Sequence, residues 1–197
     1  LLAGGQVQQK GRALERTRLV AIVAALLHDV GHGPFSHLYE KVFNDRRHEE
    51  WTRLIIRHAR GEAGRLLRHA GMVDEILGVY DRSYRPSFVS DIVSSQLDAD
   101  RLDYLLRDSF MTGVAYGQYD LDWILTNLRL ARRGRAAGPA RGRAGRKDRD
   151  EASASRGGGP DGELRLAING LKGYHAAEQF VIGRYLMYQQ VYYHKTG

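Results

Sequence analysis

Hydrophobic and polar positions along most of this chain repeat at the spacing of an amphipathic α-helix. In the first such segment, residues 13–30, apolar residues recur every three or four positions until Gly31 and Gly33 end the pattern. The pattern therefore predicts a first helix with one buried side. The apolar residues predicted to form that side are Leu14, Leu19, Ile22, Val23, Leu26 and Leu27.

Further helices are predicted at short intervals after the first. Helical spacing recurs over residues 49–59, in two short segments punctuated by Gly61 and Gly71, and after Pro86. The later predicted helices span residues 100–110, 120–128 and 171–195, and Asp120 is a plausible N-terminal cap. For the helix over residues 49–59 and the two short segments punctuated by Gly61 and Gly71, the positions predicted to point inward are Trp51, Leu54, Ile55, His58, Leu66, Leu67, Val73, Ile76 and Leu77.

A period-two alternation over residues 163–168 predicts a short strand, and residues 128–130 supply a matching partner. The tip of this hairpin is a stretch, residues 131–162, that is rich in Arg, Gly, Ala and Ser and lacks apolar periodicity. We predict that this stretch is a flexible insertion. The chain is therefore expected to be mostly α-helical, a single domain over residues 1–197 with one small β-hairpin.

Composition narrows the class of protein. The chain has 197 residues, of which 43% are hydrophobic, which is enough for a sizeable core in one domain. It contains no cysteine, so disulfides and thiolate metal sites are excluded. No apolar run reaches membrane-spanning length and no signal peptide is visible. We therefore expect a cytoplasmic protein without a membrane partner.

The net charge of +7 invites a nucleic-acid interpretation, but the charge is confined to one segment. Residues 129–160 hold ten Arg or Lys and three Asp or Glu, a difference of +7, so the remainder of the chain is neutral overall. A solvated loop is the favoured interpretation of this segment. Contact with a phosphate backbone is the alternative, although the segment lacks the interleaved aromatic residues of a single-strand platform.

The first candidate for chemistry is the pair His28-Asp29, where the first apolar helix ends. Imidazole and carboxylate together suit a divalent metal. Taken alone, the pair is better explained as a hydrogen-bonded pair or a C-terminal helix cap. A second acidic cluster at residues 98–108 changes that balance, because its four carboxylates exceed what a helix start needs. Asp98 or Asp100 can serve as a cap, and Asp103 can pair with Arg107, which leaves at least one acid for other work.

The two segments together resemble a known family. Residues 28–37, His-Asp-Val-Gly-His-Gly-Pro-Phe-Ser-His, and residues 98–108, Asp-Ala-Asp-Arg-Leu-Asp-Tyr-Leu-Leu-Arg-Asp, are typical of HD-domain metal-dependent phosphohydrolases. Within that superfamily they resemble the branch containing deoxynucleoside triphosphate (dNTP) triphosphohydrolases, as does the terminal Tyr-Tyr-His-Lys of residues 192–195. The resemblance implies an HD-domain helical bundle.

The resemblance also implies a metal centre. His28 and Asp29 match the central His-Asp doublet of the family, and Asp100 matches its last ligand. The resemblance does not say which divalent ion is bound, so magnesium, manganese, iron, nickel and zinc all remain candidates. The family's first histidine precedes this helix, and nothing upstream of His28 is a histidine. We therefore expect the chain to be a fragment that begins just after that ligand and also stops within the family pattern.

Four further residues near the doublet are assigned by the resemblance. His32 and His37 are expected to contact substrate phosphates, whereas a locally stabilised turn is the alternative explanation of their spacing. His48 and Glu49 start a helix and match an acid–base pair of the family. The alternative for Glu49 is that it complements the helix dipole.

The remaining assignments concern a nucleotide. Arg101, Tyr104 and Asp108 share one helix face, and the resemblance gives them the phosphate, the sugar face and the sugar hydroxyl. Tyr104 is expected to disfavour a 2′-hydroxyl. The last helix is expected to close the pocket with Arg184, Tyr188, Tyr192, His194 and Lys195.

The resemblance implies hydrolysis of a dNTP to deoxynucleoside and tripolyphosphate, in an enzyme that can form a homo-oligomer. Two alternatives remain at this point. One is an HD phosphoesterase that acts on a nucleoside monophosphate or a cyclic nucleotide. The other is a non-catalytic regulatory or nucleic-acid-binding module that uses the Arg-rich insertion.

Overall fold

The computed structural model is mostly α-helical, as the apolar spacing predicts, and it describes residues 11–35, 40, 42, 46–58, 60–132 and 163–193. In chain order, the helices are α1 Gly11–Leu27, α2 His48–Arg57, α3 Glu62–His69, α4 Val73–Tyr80, α5 Phe88–Val93, α6 Ala99–Thr112, α7 Leu121–Asn127 and α8 Tyr174–Met187. A π-helical turn, Tyr188–Tyr192, continues α8. Within the described ranges, no helix combines the length and apolar content needed to cross a bilayer.

Aspartate caps explain where two of the helices begin. The Asp98 carboxylate accepts a hydrogen bond from the backbone N–H of Arg101 at 2.8 Å and starts α6. The Asp120 carboxylate does the same for the N–H of Trp123 at 2.8 Å and starts α7. Because Asp98 is the cap of α6, Asp100 is left with its carboxylate available for another role.

The predicted hairpin is present. Strands β1 (Leu128–Arg132) and β2 (Leu164–Ile168) pair antiparallel, with Leu128 opposite Ile168 and Arg132 opposite Leu164. The prediction that the insertion begins at residue 131 is wrong by two residues, because Ala131 and Arg132 pair with β2. The other residues of the predicted insertion, 133–162, lie outside the described part of the chain.

Two buried apolar clusters form the core. The first joins α1 to the helices α2–α5 and is centred on residues such as Val20, Ile56 and Ile76. The second joins α6, α7 and α8 and is centred on residues such as Leu105 and Phe180. The residues between α5 and α6 connect the two clusters, and the candidate site described below lies at this junction.

The predicted inward face of α1 is largely wrong. Leu19, Ile22 and Leu26 are 45%, 53% and 77% exposed, whereas Val20 and Ala24 are fully buried. Because α1 carries apolar residues around most of its circumference, spacing alone does not decide which side is buried. The small side chain of Ala24 lies on the side that packs against α4 and α5. Four other residues predicted to point inward are also exposed, namely Leu14, Leu54, His58 and Leu66.

The last helix is shorter than predicted. The turn at residues 170–173 precedes it, and Asn169 Oδ1 accepts a hydrogen bond from the N–H of Leu171 at 3.0 Å in that turn. The regular helix ends at Met187, and the following turn is π-helical. The aromatic residues of the predicted helix fall into three groups. Phe180 is buried, Tyr174 and Tyr185 are exposed, and Tyr188 and Tyr192 line the cavity described below.

Candidate active site

A cavity of about 560 Å³ lies between the two core clusters. Its volume falls within the range of small-molecule sites. The end of α1, the first turns of α2, the end of α5, one face of α6 and the π-helical turn form its walls. The lining residues are His28, Asp29, His32, His48, Glu49, Thr52, Arg53, Tyr80, Val93, Ser94, Asp98, Asp100, Arg101, Tyr104, Asp108, Tyr188 and Tyr192.

The three predicted metal ligands converge at one end of this cavity. Directly after α1, His28 Nδ1 donates a hydrogen bond to the Ala25 carbonyl at 2.8 Å, which leaves Nε2 as the ring nitrogen available as a ligand. His28 Nε2 lies 3.3 Å from Asp29 Oδ1 and 3.8 Å from Asp100 Oδ1. The helix end therefore presents one imidazole nitrogen to two carboxylates that come from different elements.

Asp29 also belongs to a second group of possible ligands. Its Oδ2 lies 3.5 Å from His32 Nε2, and potential ligand atoms of Asp29, His32 and His48 all lie within 4.8 Å of one another. The imidazole rings of His32 and His48 are stacked, with centroids 3.9 Å apart. The structure thus places His32 and His48, assigned to substrate contact and to acid–base chemistry, beside a predicted metal ligand.

The donor set of the cavity suits a divalent cation. Five carboxylates line it, those of Asp29, Glu49, Asp98, Asp100 and Asp108, against two guanidinium groups. Burial raises the pKa of Asp100, the carboxylates of Asp29 and Asp98 raise it further, and His28 and Arg101 oppose the rise. A bound cation would favour the charged form of Asp100. Mixed nitrogen and oxygen donors of this kind fit the metals that the sequence analysis named.

The His48–Glu49 pair begins α2, as predicted. His48 Nδ1 contacts Glu40 Oε1 at 2.7 Å, the backbone N–H of His48 donates to the same oxygen at 2.9 Å, and His48 Nε2 lies 3.6 Å from Glu49 Oε1. Glu49 Oε2 is buried and has no hydrogen-bond partner among the described residues. Glu40 thus orients the imidazole, and sequence reasoning did not find this residue.

Arg101 is held rigidly in the cavity wall. Its Nη1 donates hydrogen bonds to the carboxylate of Asp98 and, at 2.7 Å, to the Ser95 carbonyl. Its Nε is buried and lacks a hydrogen-bond partner within the described chain. The guanidinium is therefore positioned by the cap of α6, one residue away from Asp100.

Tyrosines surround Asp108 at the opposite end of α6. The Tyr192 hydroxyl donates to Asp108 Oδ2 at 2.6 Å, and the Tyr104 and Tyr192 rings meet edge to face with centroids 6.2 Å apart. Tyr188 packs edge to face against Tyr192 at 5.2 Å. Burial raises the pKa of Tyr104 and of Tyr192, and the hydrogen bond to Asp108 raises that of Tyr192 further. Both phenols therefore stay protonated at neutral pH.

Of the predicted residues that the structure describes, Arg184 is absent from the cavity lining. Its guanidinium donates to Gln96 Oε1 at 3.1 Å and lies over the Tyr188 ring at 5.7 Å. Arg184 therefore lies behind Tyr188, which itself lines the cavity, and its assignment to substrate binding stays a prediction. His37, His194 and Lys195 lie outside the described residues.

Sequence reasoning missed two residues that organise the site. Glu40 binds His48 from eight positions earlier, and no periodic pattern links the two. Thr52 lies one turn after His48 on α2, so helical spacing places both on one face. Its hydroxyl contacts the turn that carries His28 and Asp29. A buried threonine in a helix is a weak signal, because its hydroxyl usually bonds within its own helix.

The chain is similar to known proteins in sequence and in fold. The sequence profile of the HD domain matches residues 4–108. The chain is 37% identical to the uncharacterised Bacillus subtilis protein YwfO over 179 residues, 90% of this chain and 34% of that protein. A crystal structure of a Bacteroides thetaiotaomicron phosphohydrolase matches with a TM-score of 0.65 and 33% identity, over 91% of this chain and 36% of that one.

A more distant match covers half of the chain. The Dictyostelium discoideum homologue of the deoxynucleoside triphosphate triphosphohydrolase SAMHD1 is 31% identical over 111 residues, which is 50% of this chain and 22% of that protein. The chain spans about a third of the length of YwfO and of the Bacteroides protein.

Proposed function

This chain belongs to the HD-domain family, and we propose that it is a metal-dependent phosphohydrolase whose preferred substrate is a dNTP. The products would be a deoxynucleoside and tripolyphosphate. The observation that carries this proposal is a single cavity. The His28–Asp29–Asp100 group lines one end of it, and the tyrosine wall, formed by Tyr104, Tyr188 and Tyr192 around Asp108, lines the other. The Bacteroides phosphohydrolase and the SAMHD1 homologue support the reaction class.

We assign the metal to His28, Asp29 and Asp100. When bound, a divalent ion supplies Lewis-acid polarisation of a phosphoryl oxygen and lowers the pKa of a coordinated water. The Ala25 carbonyl keeps the proton of His28 on Nδ1 and so keeps Nε2 available as a ligand. Asp29 is attached to the same turn as His28, whereas Asp100 approaches from the start of α6.

The span of α6 suits the length of a nucleotide. Asp100 and Asp108 are eight residues apart on one helix, so their backbones are separated by roughly 12 Å along its axis. Arg101 lies beside the proposed metal and is fixed by Asp98. Its guanidinium is therefore positioned to hold phosphate oxygens without first losing side-chain freedom. We expect His32, on the other side of Asp29, to assist with the same phosphates.

His48 and Glu49 are the proposed acid–base pair. Glu40 binds His48 at Nδ1, which places Nε2 on the side of Glu49. An imidazole oriented by one carboxylate and adjacent to another can hold a proton and pass it to a leaving oxygen. The contact to Glu40 fixes which nitrogen takes part.

The tyrosine wall is proposed to select the sugar. Tyr192 occupies Asp108 Oδ2, and the other oxygen of Asp108 can accept a hydrogen bond from a 3′-hydroxyl. The Tyr104 ring, held edge to face by Tyr192, would pack against the deoxyribose and exclude a 2′-hydroxyl. This wall favours a deoxynucleotide over a ribonucleotide.

Product analysis tests the proposal. The full-length protein is incubated with each dNTP, the matching ribonucleotides, nucleoside monophosphates and cyclic nucleotides, in magnesium, manganese, iron, nickel or zinc. We expect deoxynucleoside and tripolyphosphate to appear together. Release of orthophosphate or pyrophosphate from a dNTP, or a preference for monophosphates or cyclic nucleotides, would favour a different phosphoesterase. Absence of turnover with every metal would favour a non-catalytic module.

A further inference from the structure

The turn that carries His28 and Asp29 leaves two backbone groups without partners inside α1. The helix ends at Leu27, and residues 28–31 form a turn. The last carbonyl groups of a helix find no N–H donor within the helix, so they accept hydrogen bonds from elsewhere. In this turn, the carbonyl of His28 needs a donor and the amide of Gly31 needs an acceptor, and both find them on α2.

One side chain satisfies both groups. The Thr52 hydroxyl donates to the His28 carbonyl at 3.0 Å and accepts from the Gly31 amide at 3.0 Å. Thr52 is 1% exposed, so water does not compete for either hydrogen bond. The hydroxyl therefore closes the turn across Asp29 and fixes the backbone of both predicted ligands.

The same residue ties this turn to the proposed acid–base pair. Thr52 is one helical turn after His48 on α2. Gly31 packs so closely on α2 that a Cβ at this position would overlap the His48 carbonyl oxygen and the Thr52 amide nitrogen. The two halves of the site, the ligand turn and the start of α2, thus meet at Thr52 and Gly31.

We propose that Thr52 is a positioning residue, whose hydroxyl sets the distance and orientation of His28 and Asp29 relative to each other and to His48. This inference rests on the proposed metal-dependent hydrolysis. Loss of a residue that orients metal ligands through hydrogen bonds, without itself binding the metal, costs roughly 10- to 100-fold in metal affinity or activity. Thr52 touches neither substrate nor metal in this assignment, so its effect must pass through the turn.

Three variants of the full-length protein separate positioning from general stability. Thr52→Val keeps the shape of the side chain and removes the hydroxyl, whereas Thr52→Ser keeps the hydroxyl. Ser90→Ala is the matched control, because Ser90 is also buried and donates a single hydrogen bond, to the Val79 carbonyl at 2.8 Å, away from the cavity. Mn²⁺ affinity is measured by the electron paramagnetic resonance signal of free Mn²⁺, and kcat, KM and melting temperature are measured for each.

We expect Thr52→Val to lower Mn²⁺ affinity or kcat by roughly 10- to 100-fold, with KM changed less than kcat. Thr52→Ser should restore both, and Ser90→Ala should lower the melting temperature while leaving both near the wild-type values. Wild-type affinity and kcat in Thr52→Val, or equal losses in Ser90→Ala, would overturn the proposal.

The design also covers a failure to fold. If Thr52→Val does not fold, Thr52→Ala is measured in its place, and if neither folds, the hydroxyl is a folding contact and the positioning role is wrong. If the wild-type protein binds another of the five candidate metals in place of Mn²⁺, the same variants are measured with that ion. A wild-type protein that binds none of the five would instead contradict the proposed function, so the two failures are distinguishable.

Discussion

The Tyr192 hydroxyl donates a hydrogen bond to Asp108 Oδ2 across 2.6 Å and so joins the π-helical turn to α6. The two residues are 84 positions apart in sequence. Their contact forms the end of the cavity opposite His28 and Asp29. The proposed selection of deoxyribose depends on this wall.

Removing the Tyr104 ring should relax sugar discrimination. Tyr104→Ala opens space beside C2′, so we expect the ratio of dNTP to ribonucleotide kcat/KM to fall, mainly because ribonucleotides improve. Competition assays with a dNTP and its ribonucleotide give that ratio directly. An unchanged ratio would assign sugar selection to another residue.

The 3′-hydroxyl provides a second measurement at the same wall. Asp108 is half-buried, and a bound nucleotide would enclose its free oxygen. An enclosed acceptor left without a donor costs about 1–3 kcal/mol, so a 3′-deoxy analogue should lose roughly tenfold or more in kcat/KM. Asp108→Ala should abolish this difference between the two substrates. Equal turnover of the dNTP and its 3′-deoxy analogue by the unmutated protein would remove Asp108 from the sugar site.

The cap of α6 should matter for activity as well as stability. Asp98→Ala removes a helix cap, which costs about 1 kcal/mol, and also releases Arg101 from its carboxylate partner. Asp120→Ala is the matched control, because it removes the cap of α7 outside the cavity. We expect both variants to unfold at lower urea concentration and only Asp98→Ala to raise KM for the dNTP. Equal KM values in the two variants would show that Arg101 needs no such support.

Gly31 should tolerate no side chain. A Cβ there would overlap backbone atoms of His48 and Thr52, and such overpacking costs about 1–3 kcal/mol. Gly31→Ala should therefore lower stability to urea and, by moving the ligand turn, lower kcat. At Gly170, where an added Cβ meets no atom within 4 Å, the same substitution should be neutral for kcat. A stable, fully active Gly31→Ala protein would contradict the close packing of the turn on α2.

The basic insertion should be dispensable for turnover. Arg132 pairs with Leu164 at the end of the hairpin, so a short Asn-Gly linker can replace residues 133–162 between Arg132 and Glu163. The composition of that stretch offers little apolar area to offset its ordering entropy. We expect the shortened protein to keep its dNTP hydrolysis rate within a few-fold. A large loss of activity, or of an oligomer detected by light scattering, would make the insertion a functional element.

Much of the fold was predictable because local signals agree with tertiary structure. Asp120 and the glycine-rich turns mark helix ends, and the alternation near Leu164 marks a strand. The buried face of α1 was not predictable, because Leu19 and Val20 are both apolar and only packing against α4 and α5 chooses between them.

The candidate site was predictable only where its residues form sequence motifs. The proposed ligands lie in two recognisable segments, and the structure brings those segments together. Glu40 and Thr52 act through contacts to His48 and to the His28 backbone that depend on how separate elements pack. Such contacts leave no pattern in a single sequence.

The central claim is that the His28–Asp29–Asp100 group holds the metal on which hydrolysis depends, and a matched pair of aspartate variants on α6 tests it most directly. Asp100→Asn alters a proposed ligand, whereas Asp103→Asn alters an exposed carboxylate of the same helix that pairs with Arg107 outside the cavity. Bound Mn²⁺ and the rate of tripolyphosphate release are measured for both variants and for the wild type. The account predicts that Asp100→Asn loses both and that Asp103→Asn keeps both. Full metal binding and turnover in Asp100→Asn would contradict it.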